Sequence, residues 1–212
     1  MQLACTTAHF ACPTYAVHVR LPALCVCVCH SYEPSLRALF AYLQPKAGIA
    51  AGKKLLTFES WRMLLRRTRA VGADLSERDA ALAFVWSRMA VAEPYSEKGV
   101  VRLLHLPFES FLEALCRCAR RKAFPTDDEI AEAGFDHAGT FMDDLRENHP
   151  AALDQLMRTR TTPWGAPLSG PPLARCVEHF LCMLIHTIAS AGSKNPKLDL
   201  NDRKLETFFQ RE

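Results

Sequence analysis

The sequence lacks the patterns that most enzymes carry. Its 212 residues contain no P-loop, no Gly-x-Ser-x-Gly elbow, no His-Glu-x-x-His pair and no glycine fingerprint for a dinucleotide. Phosphoryl transfer, acyl transfer, zinc-dependent hydrolysis and hydride transfer each depend on one of those arrangements. The reading is therefore of a non-enzyme, with no catalytic residue, no metal and no cofactor assigned. Asp127-Asp128-Glu129 and Asp143-Asp144 are the clustered acids; they read as an acidic first helical turn and a helix face. His137, His149, His179 and His186 show no metal-ligand spacing.

An excess of either charge is also missing. Lysine and arginine total 26 against 23 aspartates and glutamates, a net charge of +3, too little for a dedicated nucleic-acid binder, and no zinc-finger, RNA-recognition or helix-turn-helix signature accompanies the arginines. Nor is there a long apolar run free of charge. The longest, residues 173–191, contains Arg175, Glu178, His179 and His186, which are costly in lipid, so it reads as a buried amphipathic helix and no membrane span is expected. The first residues form no basic leader, and the apolar run from Leu21 to Cys29 is interrupted by Pro22 and followed by His30. A signal peptide is not expected, and the location implied is cytoplasmic.

A regular disulfide framework is absent too. Of nine cysteines, five fall in the first 29 residues; the odd number and irregular spacing favour reduced thiols, with Cys116, Cys118, Cys176 and Cys182 serving as small core residues. The run from Leu24 to His30 alternates like a strand, but no second ligand cluster completes a metal site with its cysteines. Alternating Cys and Val is also what a TG dinucleotide repeat encodes. Residues 1–31 are accordingly expected to be an unstructured or misassigned amino-terminal extension.

What is present is a 49% hydrophobic composition able to supply a core, and an internal repeat. Leu56-Thr57-Phe58-Glu59-Ser60-Trp61 recurs fifty residues later as Leu106-Pro107-Phe108-Glu109-Ser110-Phe111. Each copy opens an amphipathic helix, with Phe58, Trp61, Leu64 and Leu65 in one stripe and Phe108, Phe111, Leu112 and Leu115 in the other. Thr57 suits a helix cap, Pro107 an early helical turn, and Ser76 with Asp79 a capping box. A helix precedes each copy. The first, residues 34–43, carries Leu36, Leu39, Phe40 and Leu43; the second, 77–89, carries Ala81, Leu82, Val85, Trp86 and Met89.

Helix, loop, Leu-x-Phe, helix, repeated twice, is the order of a paired EF-hand, in which a hydrophobic residue at loop position 8 bridges to its counterpart. Leu56 and Leu106 take those places, which sets the loops at 49–60 and 99–110. The calcium-ligand positions then fall on Ile49, Ala51, Lys53 and Ser60, and on Gly99, Val101, Leu103 and Ser110. Calcium demands carboxylates there, so the hands are degenerate. The expected fold is all-α: paired degenerate EF-hand-like units over 32–124, then a helical extension over 125–212 with a Pro/Gly-rich loop at 161–172.

The segments Leu36-Arg37-Ala38-Leu39-Phe40, Leu56-Thr57-Phe58-Glu59, Leu75-Ser76-Glu77-Arg78-Asp79-Ala80 with Phe84, and Leu106 to Leu115 together resemble the tubulin polymerisation-promoting protein family. They are also similar to helical modules of flagellar and ciliary proteins in algae and protists. The likeness covers about residues 35–122. It implies a structural or adaptor protein on microtubules or in the ciliary axoneme, with tubulin or an axonemal protein as partner; the alternative is a calcium-responsive regulator derived from EF-hands.

Two basic stripes on the repeated helices are the candidate contact surface: Arg62, Arg66 and Arg69, at helical spacing, and Arg117, Arg120, Arg121 and Lys122. They suit either an acidic partner or the ordinary charge bias of helix ends. Beyond Pro125, helices are expected at 127–133, 138–148, 151–157, 173–191 and 202–210. The 173–191 helix, with Val177, Phe180, Leu181, Leu184, Ile185 and Ile188 on one face, is expected to fill the groove of the helix pair.

Overall fold

The computed structural model describes residues 23–47, 53–89, 91, 93–164, 171–190 and 199–210. The described residues form an all-α protein of eleven helices: α1 (Ala23–Ser31), α2 (Glu33–Tyr42), α3 (Phe58–Arg67), α4 (Glu77–Trp86), α5 (Glu97–Leu104), α6 (Phe108–Arg121), α7 (Asp127–Glu132), α8 (Ala138–Asn148), α9 (Pro150–Arg160), α10 (Leu173–Ser190) and α11 (Asp202–Gln210).

Local chemistry sets where these helices start. The Thr57 hydroxyl accepts the Ser60 N–H at 3.1 Å, and Ser76 and Asp79 exchange bonds in a capping box, Asp79 N–H to Ser76 Oγ at 3.1 Å and Ser76 N–H to Asp79 Oδ2 at 2.9 Å. Thr126 and Glu129 form a second box at the start of α7. Each satisfies N–H groups that the helix itself leaves open. Pro107 occupies the cap position of α6, one residue before the first turn, and offers no side-chain acceptor.

The two repeat copies meet. Leu56 and Leu106 form an isolated antiparallel bridge, each N–H donating to the other's carbonyl at 2.8 and 3.0 Å. That bridge lies over one core to which α2, α3, α4, α6 and α10 all contribute. Leu36, Leu39, Phe40 and Leu43 of the first stripe are all buried. In α4 the inward face differs from the expected one. Ala80, Ala83 and Phe84 point into the core, while Val85, Trp86 and, past the helix end at Trp86, Met89 are 41, 44 and 44% exposed. Small alanines let α4 approach α3 and α6 closely, which outweighs burial of the larger side chains one position round.

Three further expectations are corrected. The segment after Leu24 is helical, not strand-like or unstructured: Cys25 and Cys29, one turn apart, are buried where α1 lies against α10, and Cys27 faces solvent. Packing on α10 overrides the local preference of alternating β-branched residues. Residues 1–22 of the expected extension lie outside the described residues. Gly99, Val101 and Leu103, read as loop ligand positions, belong to helix α5, which Ser96 caps by accepting the Gly99 N–H at 3.0 Å; Ile49 and Ala51 lie outside the described residues. Arg69 lies beyond the end of α3.

The carboxy-terminal helices complete the core. α10 packs against α1, α6, α8 and α11, and α11 returns to α2. Val177, Phe180, Leu181, Leu184, Ile185 and Ile188 are all buried, and at about 1.5–3 kcal/mol for each such side chain their burial holds α10 firmly. α10 has the length and hydropathy of a membrane-crossing helix, yet two thirds of it is buried within this fold. Met142, Leu145 and Leu153 form a smaller core between α8 and α9. Of the expected Pro/Gly-rich loop, residues 161–164 and 171–172 are non-helical and 165–170 lie outside the described residues.

Candidate functional site

The repeat anchors come together. Leu56, Trp61, Leu106 and Phe111 are completely buried, and Phe58 and Phe108 lie half-buried at the edge. The rings of Trp61 and Phe111 meet edge-to-face at 6.2 Å, Phe58 meets Phe84 at 5.1 Å, and Phe40 contacts both Phe108 and Phe111 at 5.4 Å. Such aromatic pairs add to simple area burial. The Trp61 indole N–H donates to the Ala80 carbonyl at 2.9 Å, so its one polar atom is satisfied inside the core.

The arginines do not form two matching surfaces. On α3, Arg62 lies 3.4 Å from Glu59 and 3.6 Å from Glu77, and Arg66 pairs with the same Glu77; Arg69 is exposed past the helix end. On α6, Arg117 is buried against Glu113 at 2.5 Å. Arg121 is bound to Asp79 at 3.1 Å and to the Thr162 carbonyl. Lys122 is fully enclosed with Asp74 at 2.9 Å. Arg120 is half-buried. The second stripe is thus largely internal wiring, its partners coming from α6 itself, from the segment at Asp74 and Asp79 and from Thr162.

That wiring centres on Asp79. Besides capping α4, it accepts the Trp164 indole N–H at 2.6 Å and pairs with Arg121. Burial pushes its carboxyl up, but the Ser76 bonds together with Trp164 and Arg121 outweigh this and hold it at about 2. Trp164 also stacks edge-to-face on Trp86 at 4.7 Å, with the Arg121 guanidinium 5.2 Å from its ring. Sequence reasoning passed over Asp74, Asp79 as an ion-pair partner, and Trp164. A lone tryptophan in a proline- and glycine-rich loop was the available signal for the last.

Two histidine clusters fasten α10. His179 lies 3.0 Å from Asp127, which also holds Arg175 at 2.6 Å. His186 lies 3.3 Å from Asp143 with its ring 5.1 Å from that of His137, and its Nδ1 is buried without a hydrogen-bond partner. No group of metal-ligating side chains assembles among the described residues, whose cysteines are all free thiols. Burial pushes the Cys25 thiol up to about 11 and raises Cys118 and Cys182 as well, which leaves these three neutral and poorly nucleophilic.

No family model matches the chain, and no curated protein or solved structure is significantly similar to it.

Proposed function

We propose that this chain is a non-catalytic structural or adaptor protein whose paired helical units are degenerate EF-hands, working in the cytoplasm on microtubules or in a ciliary or flagellar axoneme. The observation that carries the reading is the reciprocal Leu56–Leu106 bridge between the two repeat copies, the contact by which paired hands join at loop position 8. The helices that leave the bridge, α3 and α6, supply the aromatic core, and α10 packs along α6 as an internal target helix would. Support for the location is the likeness of residues 35–122 to the tubulin polymerisation-promoting family and to flagellar modules.

Co-sedimentation of the full chain with microtubules tests this. Pelleting that falls when the acidic tubulin tails are removed supports the reading, and no pelleting at low salt overturns the microtubule assignment. The calcium-responsive alternative has little to work with, since Gly99, Val101 and Leu103 carry no side-chain oxygen and sit on a helix. Heat on calcium titration in the millimolar range would restore it.

A further inference from the structure

One cluster of positive charge without a partner among the described residues lies away from the arginine stripes. A groove of about 330 Å³ runs between residues 53–55, which lead into the bridge, and α5, lined by Lys53, Lys54, Leu55, Lys98, Val101 and Arg102. All four cations are exposed. Their side chains make no ion pair or hydrogen bond with a described residue, in contrast to Arg62 and Arg66, which share Glu77. Lys98 and Arg102 stand one turn apart on α5, a spacing at which like charges repel, and among the described residues no carboxylate lines the groove to relieve them. Glu97 stands one turn before Val101 on α5, but it is not one of the described residues that line the groove and it makes no ion pair with Lys98.

The floor is apolar. Val101 is buried and Leu55 half-buried, and the strip continues onto α5 through Val100 and Leu104, 40 and 50% exposed. Four cations around an apolar floor match a segment whose carboxylates flank a hydrophobic side chain. A stacking nucleic acid is disfavoured because no aromatic ring lines the groove among the described residues. A membrane surface is disfavoured because the cations rim a recess whose apolar residues, Leu55 and Val101, lie at its floor and not at its outermost surface.

We propose that this groove is a docking site for an acidic peptide segment of a partner protein, its carboxylates held by Lys53, Lys54, Lys98 and Arg102 and an apolar side chain seated on Leu55 and Val101. This rests on the adaptor reading for the partner being a protein, but not on that partner being tubulin. Complementary charge of this kind steers encounter and fixes register.

The test is fluorescence anisotropy of the full chain with a labelled peptide of glutamates around a central leucine pair. Lys98→Glu with Arg102→Glu is expected to weaken binding at least about tenfold, and Lys53→Glu with Lys54→Glu to do the same independently from the other wall. Arg66→Glu is expected to leave binding within about twofold. Circular dichroism of each variant separates lost binding from lost folding. Binding unchanged in both folded double variants overturns the site, as does equal binding of a peptide with glutamine for glutamate. Preferential capture of phosphatidylserine vesicles or single-stranded DNA through the same residues also overturns it. Peptide binding that depends on the groove, in a chain that microtubules fail to pellet, removes the microtubule reading alone; pelleting with no peptide binding removes the docking site alone.

Discussion

Lys122 and Asp74 form an ion pair enclosed by the fold, Nζ lying 2.9 and 3.0 Å from the two carboxylate oxygens, with side chains 1 and 0% exposed. Asp74 also accepts the Ala123 N–H at 3.0 Å, so every charge in the pair has hydrogen-bonded company. Removing one partner strands the other away from water. Asp74→Ala is expected to cost about 3–5 kcal/mol, whereas Glu77→Ala, which breaks the solvated pair with Arg66, should cost about 0–1 kcal/mol. Urea denaturation of the two variants checks the contrast; similar losses would show that the pair is not enclosed.

Arg69 holds a left-handed backbone, φ 54°. It occupies the turn of a Schellman cap on α3, in which the Ala70 N–H reaches the Leu65 carbonyl at 2.9 Å and the Arg69 N–H reaches that of Arg66 at 3.0 Å. The matching cap on α7 uses Gly134 at φ 77°. An L-residue with a side chain costs about 1 kcal/mol there. Arg69→Gly is expected to stabilise by about that amount, visible as a Tm higher by about 2–4 °C, and Gly134→Ala to destabilise. A fall in Tm for Arg69→Gly would mean that the arginine makes a contact worth more than the strain.

Trp164 ties the loop after α9 to the cap of α4 through Asp79. Trp164→Phe keeps most of the contact with Trp86 but removes the N–H donor, so the Asp79 carboxyl should titrate above its present value of about 2. Carboxyl chemical shifts followed by NMR through an acid titration read this directly. A depressed folded-state pKa stabilises above the ordinary value of 3.8 and loses that stabilisation as pH falls toward 2. The variant should therefore lose less stability than the parent between pH 4 and 2; an unmoved Asp79 would show that the Ser76 and Arg121 contacts alone set its acidity.

Acidification should loosen α10 well before that range. Burial lowers both His137 and His179, helped at His137 by His186 and opposed at His179 by the bond to Asp127. A lowered histidine pKa means that the unfolded chain takes up the proton first, so stability falls as pH drops below the ordinary value near 6.5 and levels off below the folded pKa values. Thermal melts at pH 7.5, 6 and 5 should show a falling Tm that His137→Phe reduces. A flat profile over that range would show that burial does not oppose protonation of His137 and His179.

Periodicity made most of the fold legible. The stripes of α2, α3, α6 and α10 were readable because large apolar residues repeat at helical spacing, and Thr57 and Ser76 marked helix starts by their capping chemistry. α4 failed because its buried side is mostly alanine, which carries little hydrophobic signal, while Trp86 faces outward to meet Trp164. α1 failed because a short Cys/Val alternation fits either period, and only the far end of the chain, α10, decides between them. Arg121 and Lys122 looked like a surface because their partners, Asp79, Thr162 and Asp74, are distant in sequence. The basic groove escaped notice for the same reason, its two walls lying over forty residues apart.

The hydrogen bond from the Leu200 N–H to Ser35 Oγ spans 165 residues, and Tyr42 stacks on Phe209 at 5.2 Å. During synthesis, then, α2 leaves the ribosome long before the segment that covers it. Translation adds about 5–20 residues per second, so Cys25 of α1 and Tyr42 of α2 wait on the order of ten seconds or more for the α10 and α11 residues that pack on them. Apolar surface exposed for that interval is aggregation-prone, and the core is complete only when α10 and α11 have emerged.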